Sequence, residues 1–190
     1  MGKVFYTSDL HLGNSNIIKY ENRPWKTVEE MDNNLIYLWN CTVSPDDDVY
    51  VLGDFCFKGS RKAQIYLSAL QGHIHLIRGN HDHFLSQTSF IRFLYDEHSK
   101  GMLGQRHLSV DTDGWYKHMQ DGEREVVLCH FPILYWDGMD DRKSIHLYGH
   151  MHSRPNMQHP HPDAFNVGVD VNDYRPVTLE QLLEKRNASS

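Results

Sequence analysis

The sequence predicts an α/β fold for a chain of 190 residues, and two observations lead to that prediction. First, short apolar runs of four to five residues recur along the chain, as strands buried on both faces do. Second, segments with helical spacing of apolar residues lie between some of these runs, and such alternation is typical of α/β proteins. The predicted strands are Lys3–Thr7, Val49–Leu52, Ile74–Ile77, Val126–Cys129, Ile145–Tyr148 and Phe165–Val169.

Four helices follow from the periodic segments and their capping residues. The first has apolar residues at helical spacing over residues 28–38, with Thr27 and Glu30 as a capping box. The second covers residues 61–70, with Ser60 as N-cap and Gly72 beyond its end, and the third lies within residues 84–94. The last begins after Thr178. Residues 98–125 are rich in glycine and polar residues, which predicts a hairpin or an irregular excursion.

Composition excludes several classes of protein. The chain is 39% hydrophobic, carries a formal net charge of −6 and lacks any apolar run of the ~20 residues that cross a bilayer. A net acidic chain is a poor candidate for stable binding to duplex nucleic acid. Three cysteines without a CxxC pair, and no signal-peptide pattern, predict a reducing, cytoplasmic location. We expect one domain over residues 1–190, whose oligomeric state stays open.

The fourteen histidines matter because several of them follow the predicted strands directly. Ligands of open α/β sheets bind beyond the carboxyl ends of the strands, so five strands deliver polar groups to one edge. Seven of these residues are competent metal ligands, which exceeds what one tetrahedral ion can use but suits two ions that share a carboxylate. They are Asp9, His11, Asp54, Asn80, His130, His150 and His152. Mixed nitrogen and oxygen ligands favour Mn, Fe, Co, Ni or Zn, with Mn first.

The order of these motifs resembles the calcineurin-like metallophosphoesterase superfamily. The motifs are DLH at residues 9–11, GD at 53–54, GNHD at 79–82, His130 and GHMH at 149–152. The surrounding segments resemble the small single-domain bacterial and phage members. The resemblance implies a four-layer αββα sandwich, in which helices flank two mixed β-sheets.

The resemblance also implies residue roles. One ion would be held by Asp9, His11, Asp54 and His152, and the other by Asp54, Asn80, His130 and His150. A hydroxide that bridges the ions would attack phosphorus in line, and His81 would donate a proton to the leaving oxygen. Asn80 would act in catalysis as a neutral ligand that leaves its ion more Lewis acidic.

The substrate is predicted less directly than the metal centre. Phe57 and Lys58 stand where serine/threonine protein phosphatases have an orienting aspartate and a phosphate-binding arginine, which argues against that activity. Asn14 and Arg23 are candidate substrate contacts, although Arg23 could instead pack on Trp25. Trp115, Tyr135 and Trp136 could stack on a nucleobase or serve in packing. His159 and His161 could form an accessory metal site or a polar loop.

These features predict a hydrolase that acts on a small, nucleotide-like phosphodiester. Three alternatives stay open: a phosphomonoesterase, a structure-specific nuclease, and a catalytically silent metal-binding scaffold that acts through a protein partner. An intact His81 argues against the scaffold, because a scaffold does not need a proton donor.

Overall fold

The computed structural model describes residues 2–101 and 114–188, with backbone alone for residues 95–101. Within these ranges lie seven strands and five α-helices, together with three short 3-10 turns. The strands are β1 (Val4–Thr7), β2 (Asp48–Leu52), β3 (His73–Ile77), β4 (Tyr116–Asp121), β5 (Arg124–Cys129), β6 (Ser144–Tyr148) and β7 (Ala164–Asn166). The helices are α1 (Ser15–Tyr20), α2 (Val28–Asn40), α3 (Ser60–Ala69), α4 (Thr88–Gly101) and α5 (Leu179–Ala188).

The strands form two sheets, which confirms the predicted α/β class with two sheets. Strands β1, β2 and β3 make a parallel sheet in that order, with Val4 opposite Asp48 and Asp48 opposite His73. The second sheet has the order β4-β5-β6-β7 and is mixed. In it, β4 and β5 form an antiparallel hairpin, while β5, β6 and β7 run parallel. All six predicted strands exist, with bounds that shift by a few residues.

Two hydrophobic clusters fill the layers between these elements. Alternate residues of β1 point to opposite faces of the sheet, so Phe5 belongs to one cluster and Tyr6 to the other. The first cluster packs the three-stranded sheet against residues of α2, α3 and α4, including Trp39, Leu67 and Phe90. The second cluster lies between the sheets and includes residues of α5.

The outer face of the second sheet is covered mainly by loops. His146 points away from the inter-sheet cluster because its neighbours Ile145 and Leu147 point into it. The buried ring of Trp136 lies 5.2 Å from the His146 ring, and His159 packs beside both. Trp136 is therefore a packing residue, and the alternative of base stacking is excluded by its burial.

The helix predictions hold with local differences. The Thr27 side chain accepts the Glu30 N–H at 3.1 Å, and Thr178 and Gln181 cap α5 reciprocally. The N-cap of α3 is Gly59, not the predicted Ser60, whose Oγ bonds to Ser89 instead. The third predicted helix divides into a 3-10 turn over His83–Ser86 and α4. Helix α1 was not predicted, because its six residues are too few for a periodic pattern.

The hairpin predicted within residues 98–125 is present in part. Strands β4 and β5 pair from Tyr116 opposite Cys129 to Asp121 opposite Arg124, while residues 102–113 lie outside the described residues. The three cysteines are free thiols. Across the described ranges, none of the helices combines the length and the apolar character that crossing a bilayer demands.

Candidate metal centre

The carboxyl ends of five strands meet at one site and bring the seven predicted ligands together. Three segments of the first sheet and two of the second reach it, because the ends of β1, β2, β3, β5 and β6 point to the same edge. Three sets of three side chains each place one ligand atom within 4.8 Å of the others: two consist of predicted ligands, and the third is Glu21, His152 and Asp170. We call Asp9, His11 and His152 the first ligand group, and Asp54, His130 and His150 the second ligand group.

In the first ligand group, both imidazoles face the same carboxylate oxygen. Asp9 Oδ1 lies 4.0 Å from His11 Nε2 and 3.9 Å from His152 Nε2. The other oxygen of Asp9 accepts the backbone N–H of His150 at 2.8 Å, which fixes the carboxylate. Burial lowers the pKa of His11 well below its ordinary value, so its ring is held in the neutral form that binds metals.

Asp54 lies between the two groups. Its Oδ2 is 3.6 Å from His11 Nε2 and 3.5 Å from His130 Nε2, while its Oδ1 accepts the backbone N–H of His81 at 2.8 Å. A single carboxylate therefore faces one imidazole from each group. This is the placement expected of a carboxylate shared by two ions.

The second ligand group brings hydrogen-bond acceptors against one another. His130 Nδ1 lies 2.8 Å from the carbonyl oxygen of Leu52, which can only accept, so that nitrogen carries the proton. The unprotonated Nε2 then faces Asn80 Oδ1 at 2.9 Å and His150 Nδ1 at 3.2 Å. Three lone-pair atoms that converge in this way call for a cation or a proton between them.

Unpartnered buried atoms in the first ligand group also indicate a site for a cation. Five buried side-chain nitrogen and oxygen atoms lack a hydrogen-bond partner within the described residues, and three of these belong to Asp9 and His11. They are Asp9 Oδ1 and both ring nitrogens of His11. Buried polar atoms are normally satisfied, so the donor set fits divalent metal ions as the missing partners.

The ligand positions also carry unusual backbone conformations. Nine residues other than glycine have positive φ within the described ranges, and five of them are predicted ligands. These five are Asp9, His11, Asp54, His150 and His152, with φ values from 47° to 67°. Side chains with a Cβ rarely adopt this conformation, and such strain concentrates at functional sites.

A buried aspartate supports the second ligand group from below. Asp82 accepts the backbone N–H groups of Gly79, Asp54 and Phe55 at 2.8–2.9 Å, and it is 2% exposed. Burial, together with the neighbouring Asp54 carboxylate, raises the pKa of Asp82 to about 6. Gly53 is needed here because it has φ +83° and a Cβ would lie 2.6 Å from His130 Nδ1. Asp82 is thus the side chain that holds this turn.

The candidate proton donor His81 lies at the edge of the site. Its ring is 5.5 Å from the His11 ring and 5.3 Å from the Phe57 ring, measured between centroids. Within the described part of the chain, its ring nitrogens make no hydrogen bond to another residue, and its ring contacts are those with His11 and Phe57. Burial lowers the pKa of His81.

Arg23 is placed differently from either expectation. Its guanidinium is buried and bonds to the Asp170 carboxylate at 2.8 and 3.0 Å, and to the carbonyl oxygens of Leu10 and Asp9 at 2.8 and 2.7 Å. A guanidinium committed to these partners does not reach a substrate phosphate. It also does not pack exposed on Trp25, whose ring contacts Tyr174 instead.

Asp170 is the main residue that sequence reasoning missed. Its Oδ2 bonds to His152 Nδ1 at 2.7 Å, so it holds a predicted ligand from behind. Asp170 lies in the 3-10 turn Val169–Val171, beside β1 through the Ser8–Gly168 bridge. The signal was present, since Asp170 directly follows the predicted strand Phe165–Val169, as the other site residues follow theirs.

A cavity of about 340 Å³ opens over the ligand groups. Asn14 lines it as expected, with its Oδ1 accepting the Asn16 N–H and capping α1. Sequence reasoning missed three other lining residues: Tyr20, which is 73% exposed, Glu21, and Arg154, whose Nη2 is 3.8 Å from Glu21 Oε1. Helix α1 and the GHMH segment present these side chains, and no motif marks them.

Other candidates lie outside the ligand groups. His159 and His161 pack near Trp136 on the outer face of the second sheet, where the backbone N–H of His161 donates to His159 Nδ1 at 3.1 Å. They join none of the potential metal-binding groups among the described residues. Trp115 and Tyr135 are 47% and 65% exposed, and neither lines the cavity over the ligand groups. The Trp115 ring stacks on Phe131 at 6.2 Å and has the Arg78 guanidinium over it at 5.5 Å.

Comparisons with known proteins find both sequence relatives and a shared fold. No family model matches the sequence. The chain is 34% identical over 194 residues to the uncharacterized protein MJ1445 of Methanocaldococcus jannaschii, covering 97% of this chain and 93% of that protein. It is 31% identical over 192 residues to the Gene 66 protein of Mycobacterium phage L5, covering 90% of this chain and 88% of that protein.

A solved structure shares the fold over nearly the whole chain. The protein of unknown function AQ665 from Aquifex aeolicus superposes with a TM-score of 0.65 at 20% identity, covering 97% of this chain and 99% of that chain. A predicted phosphoesterase from Streptococcus pneumoniae TIGR4 reaches a TM-score of 0.35 at 17% identity, over 78% of this chain and 62% of that chain, which is too low to establish a common fold. On its sequence relatives, the chain belongs to the family of MJ1445 and the mycobacteriophage Gene 66 proteins.

Proposed function

We propose that this protein is a metal-dependent phosphoesterase that holds two divalent transition-metal ions, with Mn²⁺ as the first candidate. The convergence of ligand atoms on both sides of Asp54, three of them unpartnered in the first ligand group, is the observation that carries the proposal. Asp9, His11, Asp54 and His152 would hold one ion, and Asp54, Asn80, His130 and His150 the other. When bound, such ions activate water as a nucleophile and neutralise phosphoryl charge.

His81 is the proposed proton donor to the leaving oxygen. It lies beside the first ligand group and lines the cavity, so a phosphate ester above the ligands would present its leaving group to the ring. A bound phosphate adds negative charge next to the imidazole, which favours the protonated form that donation requires. Asn14 is a candidate donor to a phosphoryl oxygen, because its amide nitrogen is left over once its oxygen caps α1.

The lining of the cavity favours a diester over a monoester. Apart from histidines, Arg154 is the cationic side chain among its lining residues, and the carboxylate of Glu21 faces it. A monoester dianion requires more positive charge outside the ions than this wall provides, because Arg23 is already committed to Asp170. Tyr20 and Phe57 add an exposed aromatic surface that suits a nucleotide-like substrate.

Hydrolysis of two chromogenic esters tests this proposal. The protein is stripped with a chelator, supplied with Mn²⁺ and assayed with bis(p-nitrophenyl) phosphate and p-nitrophenyl phosphate. We expect Mn²⁺-dependent turnover with a preference for the diester. A monoester preference would point to a phosphatase, and metal binding without turnover of either ester would point to the scaffold. Cytoplasmic location and oligomeric state stay predictions.

A further inference from the structure

The buried pair of Arg23 and Asp170 connects three segments behind the first ligand group. The side chains of Arg23 and Asp170 are 0% and 1% exposed. Their two parallel contacts, at 2.8 and 3.0 Å, form the bidentate geometry that holds a guanidinium and a carboxylate in one relative orientation. Removing both charged groups from water costs free energy. This cost is offset only when further hydrogen bonds satisfy the remaining donors and acceptors of the pair.

The remaining contacts of the pair are directed at the first ligand group. Arg23 donates to the carbonyl oxygens of Asp9 and Leu10, and therefore holds the backbone of the strand-end turn in which Asp9 and His11 have positive φ. Asp170 accepts from His152 Nδ1, which turns His152 Nε2 toward Asp9 Oδ1 and leaves it as the ring nitrogen that can bind a metal. One ion pair thus holds the backbone of the turn that carries Asp9 and His11 and orients the ring of His152.

The second ligand group has a different support. His130 is held by the carbonyl oxygen of Leu52, and the turn that carries Asp54 is held by Asp82. Neither Arg23 nor Asp170 makes a hydrogen bond to Asn80, His130 or His150 within the described residues. The two groups share Asp54 and are joined by the bond from the His150 N–H to Asp9 Oδ2, but the side chains that support them from outside are different.

We propose that Arg23 and Asp170 are positioning residues that set the affinity of the first ligand group for its divalent ion, independently of the second. Carboxylates that accept from the outer nitrogen of a metal-binding histidine orient the ring and raise its basicity, and their loss costs 10–100-fold in metal affinity. The inference rests on the proposed function only in requiring that the first ligand group holds an ion.

A matched control separates this role from general stabilisation. The control is Asp163, which like Asp170 is a buried carboxylate in an ion pair. Its partners are two arginines, Arg142 at 2.8 Å and Arg186 at 2.7 Å. It contacts none of the predicted ligands through its carboxylate. If an internal ion pair matters only for the fold, then Asp163→Asn and Asp170→Asn have comparable effects on metal binding.

Calorimetric titration with Mn²⁺ tests the proposal on chelator-stripped full-length protein. We expect two ions per wild-type chain, and we expect Asp170→Asn to weaken one of them about 10–100-fold while leaving the other unchanged. Electron paramagnetic resonance at two equivalents of Mn²⁺ per chain then changes from the signal of a coupled pair to that of an isolated ion. Asp163→Asn binds both ions as the wild type does.

A second variant covers the case in which Asp170→Asn leaves Arg23 buried without a partner and fails to fold. The double variant Arg23→Gln with Asp170→Asn removes both charges, and we expect the same selective loss of one ion. Unchanged binding of both ions in these variants, or equal weakening of both, overturns the inference. Two ions without ester hydrolysis would contradict the proposed function while the selective loss still supports the inference. A wild type that binds no Mn²⁺ overturns both.

Discussion

The two halves of the candidate metal centre are built in different ways. The half around Asp9, His11 and His152 is supported by a buried ion pair between side chains. The half around Asn80, His130 and His150 is supported mainly through the backbone, by the Leu52 carbonyl and the N–H groups that bind Asp82. The first support joins segments that are far apart along the chain, whereas Asp82 belongs to the same GNHD motif as the ligand Asn80.

This difference explains why the two halves are not equally recognisable from the sequence. The second half can be recognised from a short motif. In GNHD, the ligand Asn80 and the supporting Asp82 are two residues apart along the chain. The first half depends on Arg23 and Asp170, which are 147 residues apart. A contact of that range leaves no local pattern in one sequence.

The largest predicted effect comes from the residue that both halves share. Asp54→Ala removes the carboxylate between His11 and His130, so both ions lose a ligand at once. Because bound ions contribute several kcal/mol of transition-state stabilisation, we expect hydrolysis to fall by about 10³-fold or more. Steady-state kinetics with bis(p-nitrophenyl) phosphate measures this, and activity within tenfold of wild type would contradict a shared ligand.

Loss of His81 is predicted to separate chemistry from metal binding. His81→Ala removes the proposed proton donor but none of the predicted ligands, so we expect a decrease of about 10²–10³-fold in kcat with both ions still bound. The rates and the Mn²⁺ stoichiometry are measured on the same preparation. Loss of an ion together with activity would show that the ring supports the centre and does not serve as an acid.

The support of the second half is predicted to be needed for the fold itself. Asp82→Ala leaves three buried backbone N–H groups without their acceptor, which we expect to cost about 3 kcal/mol of unfolding free energy. Urea unfolding in chelator measures this cost. Asp141→Ala, at an exposed aspartate, is the control and should change stability by less than about 0.5 kcal/mol. Equal effects of the two substitutions would show that Asp82 does not hold the turn that carries Asp54.

The pH dependence of stability tests a residue outside both halves. Burial lowers the pKa of His146 to about 4, although the hydrogen bond to the Val127 carbonyl acts in the opposite direction. The neutral ring also accepts the Ile133 N–H at 3.1 Å. Because the pKa of His146 is lower in the folded than in the unfolded protein, its contribution to the free energy of unfolding is fully present above pH 6.5. That contribution is lost as the pH falls toward 4. We expect a loss of about 2 kcal/mol between pH 7 and 5 in metal-free protein.

His146→Leu removes this titration from the fold. Urea unfolding of the metal-free variant at pH 7 and pH 5 should show a pH dependence shallower than that of the wild type by the same amount. An unchanged slope would show that His146 is not the group that titrates. Working without metal keeps protonation of the predicted ligands from adding to the slope through release of ions.

Much of the fold and of the site could be predicted from the sequence, for physical reasons. Buried strands are continuous apolar runs, and ligand-type residues at their ends are brought together by parallel pairing, as Asp9 and Asp54 are. The role of Arg23 could not be predicted, because a single sequence does not distinguish an arginine that binds phosphate from an arginine that forms a buried ion pair. The lining of the cavity by Tyr20 and Arg154 depends on how α1 packs over the site, which no local pattern specifies.

Anomalous diffraction from crystals of the Mn²⁺-loaded protein tests the central claim most directly. The account predicts two anomalous peaks about 3.5–4 Å apart on either side of the Asp54 carboxylate, one beside Asp9, His11 and His152 and the other beside Asn80, His130 and His150. A single peak, or peaks away from Asp54, would contradict a dinuclear centre built on a shared carboxylate.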